Sequence, residues 1–71
     1  MSMSEKIRIA LIKRNTTITQ LAQSLGISQS NLSNKLKRDN FSEKELKEIA
    51  DKLNCDFVQT FILRETGEEI K

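Results

Sequence analysis

The chain has 71 residues, with twelve Lys and Arg against ten Asp and Glu for a net charge of +2, and it contains no His, Pro, Trp or Tyr. A chain of this length buries only about 60% of its unfolded surface, which leaves little room for a deep pocket, and without His the usual general acid and base is missing. A single cysteine, Cys55, permits no internal disulfide, and the apolar runs are too short to span a membrane, so a soluble cytoplasmic protein with no cofactor, metal or small-molecule ligand is expected.

The charge is unevenly placed. Residues 1–38 hold seven cations and one acid, Glu5, whereas residues 39–71 hold five cations and nine acids. Such a split suits a molecule that turns one face toward a polyanion.

Ser4 is placed to cap a first helix over about 5–14, with Glu5 in the turn where a carboxylate favours the positive end of the dipole. Ile7, Ala10, Leu11 and Arg14 share a face. Ile9 and Ile12 lie off it, so either the C-terminal segment or a second subunit has to cover them. Lys13 and Arg14 either complement the end of this helix or reach toward phosphate. After a turn at Asn15 and Thr16, Thr17 and Gln20 form a capping box that opens a helix over about 18–25, whose apolar stripe is Leu21, Ala22 and Leu25. Gly26 can end it in the left-handed conformation without steric cost.

Ser28 caps the next helix, about 29–37, in which only Leu32 and Leu36 form an apolar stripe. Asn34 lies opposite that stripe, flanked by Ser30, Asn31, Lys37 and Arg38. Ser and Asn are weak helix formers, so a whole face of them suggests a use. Amides and hydroxyls suit base edges in a major groove, and cations suit phosphates. The plainer alternative is an ordinary solvated surface.

Asp39 and Asn40 end that helix in a turn. Ser42 with Glu45 makes a second capping box, and Phe41 with Leu46 a hydrophobic staple, which together predict a helix over 43–53 that buries Leu46, Ile49, Ala50 and Leu53. Its other face mixes both charge signs and carries no assigned role. Asn54 suits a left-handed exit, and Cys55 reads as a small half-buried residue beside it.

Over about 56–71 the period changes to two. Phe57, Gln59, Phe61 and Leu63 alternate with Val58, Thr60, Ile62 and Arg64, Glu65 to Glu68 form a turn, and Glu69, Ile70 and Lys71 pair back as a hairpin. A lone hairpin is marginal and has an open edge. One face is therefore expected to pack on the first helix while the edge pairs with a second chain, giving a homodimer through Phe57, Phe61, Ile62 and Leu63.

The stretch 17–38 resembles the helix-turn-helix of the Cro and phage-repressor type, the XRE family. Ala22, Gly26 and Leu32 match its spacing of a small residue, a glycine four later and an apolar residue six after that. Two positions depart from the pattern: Ile18 stands where the family often has Gln, and Lys35 stands where a second apolar residue usually falls, with Leu36 following. The resemblance implies a mainly α fold over 1–71 as a single domain, a four-helix Cro/repressor-like unit with a short C-terminal strand or hairpin. It also implies a non-enzymatic transcriptional repressor that binds double-stranded operator DNA as a dimer, with Gln29, Ser30, Ser33 and Asn34 at base edges. Thr17, Lys35, Lys37, Arg38 and Asn40 are the phosphate candidates. A competing reading is an antitoxin-like or other protein-interaction module that uses the apolar strand at 57–63 to hold a partner.

Overall fold

The computed structural model describes residues 2–58 and 61–70. Four helices, α1 (Met3–Lys13), α2 (Ile18–Leu25), α3 (Gln29–Arg38) and α4 (Glu43–Lys52), are followed by an antiparallel hairpin of β1 (Phe61–Ile62) and β2 (Glu69–Ile70).

Each helix begins and ends by the same two local devices. At the entries, the side chains of Ser2, Thr17, Ser28 and Ser42 accept the backbone N–H three residues on, which satisfies donors that have no partner inside the helix. At the exits, Asn15, Gly26, Asp39 and Asn54 take left-handed backbone, with φ of 51°, 73°, 53° and 55°. The next N–H then folds back onto a carbonyl five residues earlier: Thr16 to Leu11 at 2.9 Å, Ile27 to Ala22 at 3.0 Å, Asn40 to Lys35 at 3.3 Å and Cys55 to Ala50 at 2.8 Å. Gly26→Ala is expected to cost about 1–2 kcal/mol from the φ alone, since nothing lies within 4 Å of the added Cβ. Urea melts compared with wild type measure it.

One cap differs from expectation. Ser2, not Ser4, caps α1, which therefore starts at Met3. Ser4 lies inside the first turn and is buried, and its polar atoms are taken up by the end of α3. The other three helices run within a residue of their expected ends.

The core takes Ile7 and Leu11 from α1, Leu21 and Ala22 from α2, Leu32 and Leu36 from α3, and Leu46, Ile49 and Leu53 from the α4 region. Ala50, expected among them, is half-buried. Leu32 sits deepest, with no exposed surface. Phe41 and Phe57 pack against the margin of this cluster.

In the hairpin, Phe61 pairs with Ile70 and Ile62 with Glu69. Gly67, at φ 74°, closes the turn by donating its N–H to the Leu63 carbonyl at 2.8 Å. Gln59, Thr60 and Lys71, expected within these strands, lie outside the described residues. Contrary to expectation, neither hairpin face packs on α1: residues 61–70 are all exposed, Phe61 at 81%. Strands of two residues offer too little surface to anchor a face, and Phe57, before them, makes the contact with the body instead. Ile9 and Ile12 are likewise left uncovered by the chain's own C-terminal segment, Ile12 at 76% exposure. Among the described residues, no helix is long and apolar enough to cross a membrane.

Candidate nucleic-acid interface

Leu32 and Leu36 hold α3 by one stripe, which turns the opposite side outward. Gln29, Ser30, Asn31 and Asn34 are exposed and Ser33 is half-buried. Among the described residues, no intramolecular hydrogen bond engages the side chains of Gln29, Ser30, Ser33 or Asn34, whereas neighbouring Ser28 is occupied as a cap. These amides and hydroxyls stand with donors and acceptors free, the condition for reading an external partner. Lys37, Arg38 and Asn40 are exposed at the C-terminal end of the same helix. Thr17 is exposed at the start of α2, where its oxygen accepts the Gln20 N–H at 3.1 Å and its own N–H reaches the Gln20 side chain at 2.9 Å. Capping uses a lone pair and leaves the hydroxyl proton available.

Two polar clamps fix α3 to its neighbours. Asp39, just past the helix, accepts from the Ser4 N–H at 2.8 Å and from the Ser4 hydroxyl at 2.9 Å, and that hydroxyl also lies 2.6 Å from the Leu36 carbonyl. The Ser4 N–H, then its hydroxyl, hold the Asp39 carboxyl below its usual range. The carboxylate thus sits at the first turn of α1, where free N–H groups welcome negative charge, and is bonded there although Asp39 itself is exposed. Ser4→Ala removes the hydroxyl and is expected to cost about 1–2 kcal/mol. It should also weaken DNA binding, as measured by melts and by titration with duplex DNA.

At the other clamp, Lys35 pairs with Glu45 of α4. Glu45 also accepts the Ser42 N–H at 3.0 Å. Lys35 first, then Ser42, bring the Glu45 carboxyl down to about 2. Both side chains of the pair keep 34% of their surface exposed, so solvent screening leaves about 1 kcal/mol of stability in this group. Its folded pKa lies below the unfolded one, so that contribution is present above the ordinary value of 4.5 and disappears as pH falls toward 2. Glu45→Gln should flatten this part of the acid-stability curve followed by circular dichroism.

Lys35, expected as a phosphate contact, is therefore held by an acid, while Lys37 and Arg38 of the same turn are exposed and form no ion pair among the described residues. Arg14 is bonded within the chain as well: its guanidinium donates to the Asn54 carbonyl at 2.9 Å, which ties the end of α1 to the exit of α4. The Asp39–Ser4 clamp joins residues 35 positions apart and carries no local signal in the sequence. The Ser2 cap does carry one, since Ser2 precedes Glu5 by the three-residue spacing of a capping box.

The family model of the Cro/C1-type helix-turn-helix DNA-binding domain matches residues 6–64, which spans most of α1, all of α2 to α4, and β1. The chain belongs to this family. Searches of curated proteins and of solved structures gave no match. In this Cro/C1-type domain α2 and α3 are the helix-turn-helix pair. Ala22 and Leu32 are buried where the two helices meet, and Gly26 makes the left-handed exit between them. The two departures from the family's pattern are absorbed locally. Ile18 packs at the margin of the core, and Lys35 leaves the interior to Leu36 and takes the carboxylate of Glu45.

Proposed function

We propose that this Cro/C1-type domain is a cytoplasmic, sequence-specific transcriptional repressor that lays α3 in the major groove of double-stranded DNA. The observation that carries this reading is the outward row of Ser30, Asn34 and their neighbours, exposed, unbonded within the chain and ending in Lys37 and Arg38. Gln29, Ser30, Ser33 and Asn34 meet base edges. Thr17, Lys37, Arg38 and Asn40 meet phosphates, with Lys35 available only when it leaves Glu45. The bonding of Asp39 to Ser4 and the pairing of Glu45 support the assignment, because both engage carboxylates near that row.

Residues 1–71 act as a single domain. One such unit reads too few base pairs to specify a genomic site, so a twofold homodimer with recognition helices about 34 Å apart is the working form. The exposed apolar hairpin, with Phe61, Ile62 and Leu63 in water and Phe57 at its base, supplies the contact. Repression follows from occupancy, which requires no further surface.

A second reading has its own support. The hairpin stands beside an open groove of about 900 Å³ between α1 and α4, lined in part by Ile7, Ala10, Leu46 and Phe57. A different protein could use both, as an antitoxin-like module would require. Selection from random duplex DNA, followed by titration of the winner at several salt concentrations, separates the two. A consensus with twofold symmetry supports the repressor. Affinity that stays near 10⁻⁴ to 10⁻⁶ M on every sequence, about the non-specific range, together with co-purification of a partner, supports the module.

A further inference from the structure

Among the described residues, large apolar side chains are exposed in only two places, α1 and the C-terminal segment. On α1, Ile9 and Ile12 stand one turn apart on the side away from the core, flanked by Arg8 and Lys13. Glu5, the only acid of that helix, is engaged with the Ser2 hydroxyl at 3.2 Å. On the hairpin, the pairing of Phe61 with Ile70 puts these two side by side, and Leu63, two residues from Phe61, shares their face. Acids lie beside this second patch at Glu65 and Glu68, whereas Glu69, paired with Ile62, faces the other way. The two surfaces therefore agree in apolar character and oppose each other in charge.

They do not meet within one chain, since Ile12 stays 76% and Phe61 81% exposed. We propose that in the dimer the hairpin of each chain lies on the Ile9–Ile12 face of its partner's α1, with Glu65 and Glu68 toward the Arg8 and Lys13 rim. This deepens the dimer reading above and rests on it. A reciprocal contact of this kind satisfies twofold symmetry, because each chain gives one hairpin and receives one. Pairing the hairpins edge to edge would join strands of two residues and leave the α1 face in water.

Sedimentation and disulfide trapping test the contact. Ile12→Glu and Phe61→Ser are both expected to weaken dimerisation at least tenfold while far-UV circular dichroism stays helical, because both side chains are exposed in the single chain. In a Cys55→Ala background, an Ile12→Cys chain mixed with a Leu63→Cys chain should oxidise mainly to the mixed pair. If Phe61→Ser dissociates the dimer but Ile12→Glu does not, or if Leu63→Cys joins mainly to itself, the α1 contact is overturned and the hairpin dimer stands. A wild-type chain that sediments as a monomer throughout the micromolar range overturns both.

Discussion

Replacing Leu32 by Ala is expected to leave the protein largely unfolded at 25 °C. Leu32 has no exposed surface and joins the helix-turn-helix pair to the rest of the core. Removing a fully buried Leu side chain costs about 3–5 kcal/mol through lost transfer energy and the cavity left behind. A domain of this size has about that much stability in total. Thermal and urea melts followed at 222 nm should show the transition moved to near zero denaturant. A loss under about 1 kcal/mol would mean that the core closes over the gap and that Leu32 is not its centre.

The second large effect lies on the opposite side of the same helix. Asn34→Ala is expected to cost about 1–3 kcal/mol in binding to the preferred DNA site and little on unrelated DNA. Arg38→Ala should weaken both classes of DNA and reduce the slope of log affinity against log salt by about one. Folding does not confound the comparison. Asn34 is exposed and unbonded, and Ala is the better helix former by a few tenths of a kcal/mol, so the variant should melt no lower than wild type. Anisotropy titrations on the selected site and on a scrambled duplex provide the measurement. Unchanged discrimination by the Asn34→Ala protein would remove the base-reading role from this face.

What can be read from the sequence divides by distance along the chain. Helix boundaries are legible because caps are local: Thr17 with Gln20, and Ser42 with Glu45, form both bonds of the capping box that their spacing announces. The apolar stripes name most of the core, down to Leu21, Leu32 and Ile49, but also include Leu25 and Ala50, which are only half-buried. Contacts between remote residues are not legible. Nothing near Ser4 says that it meets Asp39, and nothing near Arg14 says that it meets Asn54. Lys35 shows the limit most clearly. As a cation on α3 it groups with Lys37 and Arg38, but it leans toward α4, where Glu45 waits. The hairpin is also visible in its alternation and its Gly67 turn, yet alternation gives no sign of whether a face is covered.

The outward row of α3 contributes almost nothing to holding the molecule together. Exchanging the letters at 29, 30 and 34 should leave melting behaviour nearly untouched, because those side chains are exposed and free of internal bonds. On the proposed reading, the address this row recognises can therefore drift, or be rewritten by design, independently of the scaffold that presents it.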